Sequence, residues 1–294
     1  MHTTLSSHSK SVTIGHDRPF AIIGERINPT GRKLFQQQLK RGDISRIPVD
    51  VEQQVAGGAM LLDVNLGAPL ADEAALMTEA IQRIQQITDL PLVIDSSIPE
   101  VLEAGLKVYQ GKALINSVTC EEDRLHAILP LAARYRAAVI GLPNDEERIP
   151  DDPRRRLDLA RELIRTATDT YKIPVEDIVI DPLAMPVGAD TGHVTRVLET
   201  IALIKEEFGV NMTLGASNVS FGMPDRDAIT SAFLLLAAQA GLTSAIMDAR
   251  SPQAVTAAKA ADLLLGRDDW GAAWIAHYRA AQAPQTTQNA KRLS

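Results

Sequence analysis

Eight short apolar runs, each followed by a longer helical pattern, narrow the folds open to this chain more than any other feature. They occupy residues 20–25, 60–65, 92–96, 113–117, 137–142, 178–181, 212–216 and 244–248. Rich in Ile, Val, Leu and Ala, they are nearly continuous in apolar character rather than alternating, as strands buried on both faces are. Helical signatures fill the gaps. Asp152-Pro153 reads as an N-cap followed by proline at the first helical position. Leu157, Ala160, Ile164, Ala167 and Tyr171 then fall on one stripe, and Val194, Val197, Leu198, Ile201 and Phe208 repeat the spacing. Ser97-Ile-Pro-Glu100 opens another helix, which Gly111 stops. Strict alternation of strand and helix implies a parallel sheet with right-handed crossovers. Eight such units in 294 residues predict an α/β chain folded as a closed (β/α)8 TIM barrel, a single domain over residues 13–283. Residues 1–12 and 284–294 read as flexible tails. The stretch 32–50, longer and more polar than the other crossovers, is expected to form part of a rim.

Composition removes several classes of partner. The formal net charge is −7 with no dense Lys/Arg block, which argues against nucleic acid and anionic membrane. No apolar run approaches the roughly 20 residues of a membrane span, and residues 1–10 lack the apolar segment of a secretory signal. The single cysteine, Cys120, rules out an internal disulfide framework and fits a reducing cytoplasm. Nothing nearby in sequence would lower its pKa, so it reads as incidental.

In a barrel of this kind chemistry sits where the strands end. Taken in turn, those ends carry Glu25, Arg26 and Asn28; Asp63 and Asn65; Asp95 and Ser96; Asn116 and Ser117; Asn144; Asp181; Ser217 and Asn218; and Asp248. Any one of these could be structural: Asp95 could cap the next helix, and Asn65 could shape a turn. Nearly every strand delivering a carboxylate or carboxamide to one rim is harder to explain by capping. Acids and amides in a mostly apolar cup suit a small, flat, uncharged heterocycle with many N–H donors. In Gly215-Ala-Ser-Asn-Val-Ser220, glycine permits close approach to the backbone and Ser217 and Asn218 offer neutral hydrogen bonds. There is no glycine-rich phosphate loop. The six histidines are scattered without metal-ligand spacing, and asparagines dilute the rim aspartates, so no bound metal is expected.

On these residues the chain resembles the pterin-binding superfamily of barrels, and within it the methyltetrahydrofolate–corrinoid protein methyltransferases. The resemblance spans about residues 22–265. It rests on Gly24-Glu-Arg-Ile-Asn28, Leu62-Asp-Val-Asn-Leu-Gly67, Ile94-Asp-Ser-Ser97, Ile115-Asn-Ser117, Gly141-Leu-Pro-Asn144, Ile180-Asp-Pro-Leu183 and Gly215-Ala-Ser-Asn-Val-Ser220, each weak alone and specific in this order. It implies that Asp95, Asn116 and Asp181 grip a pterin ring, that Gly215 and Ser217 wall the pocket, and that Asn218 hydrogen-bonds near N5 and assists catalysis. Glu25, Asn28, Asp63, Asn65, Asn144, Arg226 and Asp248 form a second rank. The implied substrate is tetrahydrofolate or methyltetrahydrofolate. The chain carries no Asp-x-His-x-x-Gly motif of the cobalamin-binding kind, so cobalamin is expected on a separate corrinoid protein docked over the barrel mouth. By analogy with related barrels a homodimer is expected, and the single cysteine makes the expected compartment the cytoplasm.

Three rivals remain. Dihydropteroate synthase shares the barrel and the pterin acids but needs a cation near strand seven for its diphosphate. Here that stretch is Ser217-Asn-Val-Ser220, with Arg226 expected further on at the next helix start. A non-catalytic folate-binding subunit would keep the same pocket. A Schiff-base lyase ranks last, since no lysine falls at a strand end.

Overall fold

The structure, a computed structural model, describes residues 1–145 and 149–282. The chain opens with a β-hairpin, β1 (His2–Ser6) and β2 (Ser11–Gly15), paired antiparallel from His2–Gly15 to Ser6–Ser11. The first barrel strand, β3 (Ala21–Ile27), is followed by α1 (Lys33–Leu39) and α2 (Ile47–Gly57). Then come β4 (Leu61–Asn65), α3 (Glu73–Ile87), β5 (Leu92–Asp95), α4 (Pro99–Val108), β6 (Leu114–Thr119) and α5 (Glu122–Tyr135). The second half runs β7 (Ala138–Leu142), α6 (Pro153–Arg165), β8 (Ile178–Ile180), α7 (His193–Phe208), β9 (Asn211–Met212), α8 (Arg226–Ala240), β10 (Ser244–Met247), α9 (Pro252–Leu264) and α10 (Ala272–Gln282).

The eight strands from β3 to β10 form one parallel sheet ordered β10-β3-β4-β5-β6-β7-β8-β9. Between the two ends, Gly215 bridges Ile246 in parallel, Ile246 N donates to Leu214 O at 2.8 Å and Thr243 N to Met212 O at 3.3 Å. The sheet is thus drawn into the TIM barrel that the eight runs predict. The seventh run, expected as a strand over 212–216, pairs as β9 only at Asn211–Met212. Beyond it the chain curls into a 3-10 turn, Ala216–Asn218, closed by Asn218 N donating to Gly215 O at 3.1 Å.

Side chains alternate across each strand, and the two faces have separate cores. Ile22, Leu62, Ile94, Ile115, Val139 and Ile180 pack outward against the helices. Ala21, Ile23, Leu61, Val93, Leu114, Ala138, Ile140 and Val179 fill the barrel interior. That inner core is completed from below by Leu5, Val12 and Ile14 of the hairpin. Residues 1–12, expected as a flexible tail, are therefore mostly a built part of the fold: Leu5 and Ile14 are 0% exposed. The apolar alternation of Thr3-Leu5 and Val12-Ile14 plugs the barrel floor, and a polar segment with only two inward positions per strand gives a weak sequence signal. The expected tail at 284–294 lies outside the described residues, as does the boundary at residue 283. No helix among the described residues is long and apolar enough to cross a membrane.

The plug makes a testable claim. Leu5→Ala should cost about 2–4 kcal/mol of stability through the lost burial and the cavity left behind, seen as a lower urea midpoint. A midpoint unchanged from the parent would mean the hairpin is only resting on the barrel.

Candidate active site

The same alternation that builds the inner core places the polar residues. Ala21 and Ile23 lead up to Glu25, Leu61 to Asp63 and Asn65, Val93 to Asp95, Leu114 to Asn116, and Val179 to Asp181. Each interior column is apolar at the base and polar at the C-terminal end, so a layer of acids and amides lies on the apolar plug.

Two acid–amide pairs hold one side of this layer. Asn65 Nδ2 donates to Asp95 Oδ2 at 2.9 Å, and its own Oδ1 accepts from Gly67 N at 2.9 Å, so both ends of the amide are engaged. Asn116 Nδ2 donates to Asp63 Oδ1 at 3.1 Å. Burial pushes the Asp63 carboxyl well above the usual carboxylate range, and the Asp95 carboxylate pushes the same way. Burial also raises Asp95, against the hydrogen bond from Asn65. With Nδ2 committed, the Asn116 carbonyl oxygen has no hydrogen-bond partner among the described residues, and Asn65 and Asp63 hold Asp95 and Asn116 in place. Asp95 does not cap the following helix: Ser96 Oγ accepts from Ile98 N at 3.1 Å instead.

Asp181 stands at the end of β8 and accepts from Leu183 N at 2.7 Å. Burial pushes its carboxyl up to about 7, opposed by that hydrogen bond and by Arg156. Arg156, 1% exposed on α6, grips the loop behind: Nη1 donates to Pro182 O at 2.7 Å and Leu183 O at 3.0 Å, and Nε to Pro150 O at 2.7 Å. Sequence reasoning passed over Arg156, because an arginine in the run Arg154-Arg-Arg156 reads as solvated. Its spacing from Pro153, Leu157 and Ala160, all buried, was the available signal.

On the opposite wall Ser217 Oγ donates to Glu25 Oε1 at 3.0 Å. Burial raises the Glu25 carboxyl to about 7, with the charge of Asp248 adding to the effect and Ser217 opposing it. Asn218 is exposed, and its side-chain amide makes no hydrogen bond within the described residues. Gly215 makes room for it: a Cβ there would lie 2.8 Å from Asn218 Nδ2. Gly24 does the same below, where a Cβ would meet Gln54 Oε1 at 2.7 Å. Gln54 donates to Asp248 Oδ1 at 2.9 Å. Asp248 is further bound by Arg250, Nη2 to Oδ2 at 2.7 Å; these contacts overcome its burial and hold its carboxyl down at about 2. Asp248 is thus a spoken-for anion.

The other second-rank residues divide. Asn28 accepts from Thr30 N at 2.9 Å, a turn contact. Asn144 accepts Cys120 N at 3.0 Å through its main chain. Cys120 is buried, its thiol raised to about 12 by burial. Arg226 starts α8 as expected, and its guanidinium reaches back, donating to Ser217 O at 2.7 Å and Ser220 Oγ at 3.2 Å. It therefore lines, with Glu25, Arg26, Ser217 and Asp248, a cleft of about 200 Å³. Among the described residues no group of three or more His, Cys, Asp or Glu is arranged to hold a metal ion.

The sequence matches the family model for pterin binding enzymes over residues 24–248. It is 32% identical to a methionine synthase of Mycobacterium tuberculosis over 258 residues, 84% of this chain and 22% of that protein. It is 31% identical to the methionine synthase of Mycobacterium leprae over a similar span. The chain thus covers only about a fifth of these relatives' length. Among solved structures it resembles a dihydropteroate synthase from Xanthomonas albilineans in complex with 7,8-dihydropteroate, with TM-score 0.67 and 22% identity over 89% of this chain and 98% of that one. A Yersinia pestis dihydropteroate synthase gives TM-score 0.66 at 18% identity over 90% and 99%.

Carboxyls whose pKa is raised bind protons in the folded state that the unfolded chain has released. Between about pH 4 and 7, stability therefore falls as pH rises. The ligand-free protein should melt roughly 2–4 °C higher at pH 5.5 than at pH 8. Asp181→Asn should shrink that difference, since an amide carries no charge to bury. An Asp181→Asn protein with the full parental pH dependence would show that Asp181 is not buried as described.

Proposed function

Since the chain belongs to the pterin binding enzyme family, we propose that it moves a methyl group between N5 of tetrahydrofolate and the cobalt of a corrinoid carried by a separate protein, in either direction. The observation that carries the reading is the unbonded Asn218 amide, folded against Gly215 and next in the chain to the Ser217 that bonds Glu25. The likeness to methionine synthases over 84% of this chain supports it.

In this reading Asp181 and Asp95 accept the parallel N–H groups of the pterin's amino-pyrimidine edge, and the free carbonyl of Asn116 takes the mixed edge. Those bonds replace the water that the buried carboxylates have lost. The ring is thereby oriented with N5 toward Asn218. When methyl leaves N5 the electrons of the N–C bond stay on nitrogen, and the nitrogen must take a proton. Asn218 does not titrate, so its part is a hydrogen bond that strengthens in the transition state. Glu25, titrating near 7 and bonded to Ser217, holds a proton at this end of the cup, and an ordered water would carry it. The corrinoid supplies the cobalt that takes or gives the methyl group. Exposed Leu70, Ile98 and Phe221 on the loops around the mouth, with Leu34 in the first turn of α1, give a partner protein apolar purchase. A cytoplasmic homodimer belongs to the same proposal.

One observation favours a second reading. Arg226 in the cleft supplies the cation near strand seven whose absence counted against dihydropteroate synthase, so a synthase acting on a pterin diphosphate remains the alternative.

Anaerobic mixing of purified protein with cob(I)alamin and methyltetrahydrofolate should convert the cobalamin spectrum to that of methylcobalamin. Asn218→Ala should slow the conversion by roughly 10- to 1000-fold, the scale of one lost preorganised donor. No conversion, together with condensation of a hydroxymethyl-dihydropterin diphosphate with p-aminobenzoate, would replace the methyltransferase with the synthase. Pterin affinity should also weaken as pH falls through about 7, because protonated Asp181 loses one acceptor. A pH-independent Kd between 6 and 8 would remove Asp181 from the binding site.

A further inference from the structure

The loop after β8 begins at Asp181 and has an anchor with no part in the chemistry proposed above. Its two sides are tied through the main chain. Asp181 N donates to Gly141 O of β7 at 2.9 Å, and Val187 N donates to Val219 O at 2.9 Å. The carbonyls of Pro182 and Leu183, between those ties, are taken by Arg156. Its Nη1 donates to Pro182 O at 2.7 Å and to Leu183 O at 3.0 Å, while Nε donates to Pro150 O at 2.7 Å. One guanidinium thus spans the loops that follow β7 and β8.

Both partners in this contact are held against their own preferences. Leu183 has φ +65°, a left-handed backbone that disfavours a residue with a Cβ and persists only where the surroundings impose it. In that conformation its N–H donates to Asp181 Oδ1 at 2.7 Å. Arg156 is 1% exposed and lies near the start of α6, where the helix dipole opposes a cation. Of the charged groups around it, Asp151 on the loop before α6 pairs with Arg196 of α7 at 3.9 Å, and Asp181 lies beyond the Pro182–Leu183 backbone. A cation desolvated for carbonyls alone costs stability. What it holds is the peptide that serves Asp181.

We infer that Arg156 is a positioning residue for Asp181: its fork fixes the Pro182–Leu183 peptides and, through them, the N–H that orients the Asp181 carboxyl. The benefit to pterin binding rests on the pterin reading of the cup; the link from Arg156 to Asp181 does not. A fork is required rather than a charge. Arginine presents its N–H groups from fixed positions on one plane, whereas a lysine ammonium on a flexible stem serves one loop and leaves the other. Lysine at 156 therefore keeps the charge and releases the Leu183 N–H. That hydrogen bond and the Arg156 charge both hold the Asp181 carboxyl down against burial, the hydrogen bond more strongly. Losing either raises the midpoint at which Asp181 titrates.

The test follows the Asp181 carboxyl by carbon NMR in the ligand-free protein, its resonance assigned with Asp181→Asn. The parent should titrate at about 7. Arg156→Lys should raise that midpoint by about half a pH unit or more, and Arg156→Met, which also loses the charge, should raise it further. In parallel, Arg156→Lys should weaken the Kd for methyltetrahydrofolate at pH 8 about tenfold. Added to Asp181→Asn it should weaken binding no further, since Asp181 transmits the effect. A parental midpoint in Arg156→Lys, whatever its melting temperature, would overturn the proposal and leave Arg156 a structural clamp. Equal losses of affinity with and without Asp181 would also overturn it, because they would report a general loosening of the mouth. A raised midpoint in a protein that binds no pterin would uphold the positioning role and remove the pterin reading.

Discussion

Everything at the mouth of this barrel depends on keeping carboxylates buried without a cation in direct ion-pair contact. Asp63, Asp95, Asp181 and Glu25 all have raised pKa values, and burial is the largest cause in each. A buried carboxylate without a cation is costly, and the fold meets that cost with neutral donors. Asn65 serves Asp95, Asn116 serves Asp63, Ser217 serves Glu25, and the backbone of Leu183 serves Asp181. Salt bridges would satisfy the acids more fully but would leave nothing for a ligand. Asp248 shows the contrast. Paired with Arg250 and Gln54 it is depressed to about 2 and has little left to offer. The arrangement therefore leaves acceptor capacity unspent, to be completed by a molecule that brings N–H groups.

The layer stays dry only because the barrel beneath it is sealed. Ile23, Leu61, Val93, Leu114, Ile140 and Val179 fill the interior, and the hairpin closes the floor with Leu5 and Ile14. Opening the floor would admit water below the acids, and the desolvation that raises their pKa values would relax. The hairpin, remote from the cup, thus acts on its electrostatics through the packed column between them.

Much of this was legible because it follows from a period of two. An acid or amide at the end of an apolar run, on the same face as the inward residues, has to lie at the top of the interior column; Asp63, Asp95, Asn116 and Asp181 were readable on that ground. The sequence was less informative where a side chain travels. Arg226 belongs by position to the start of α8, yet a long, flexible side chain carries its guanidinium back to the Ser217 carbonyl. Arg156 hides among charged neighbours although its aliphatic stem lies on the buried stripe of α6. The hairpin was missed because short strands with two inward residues each resemble a polar tail. β9 is shorter than its apolar run because the apolar residues continue past the point where the chain curls into the Gly215–Asn218 turn.

These features give the mouth a direction. Neutral amides and protonatable acids occupy the β4 to β8 side, arginines and Lys33 crowd the β3 side, and Glu25 with Ser217 lines the cleft beside Arg26. A ligand with a donor-rich flat head and an anionic tail is seated in only one sense. Reversing it would set carboxylates against Asp95 and Asp181 and leave N–H donors facing guanidiniums, losing hydrogen bonds at one end and adding like-charge repulsion at the other. Opposed chemistries across the mouth would thus set the orientation of such a ligand.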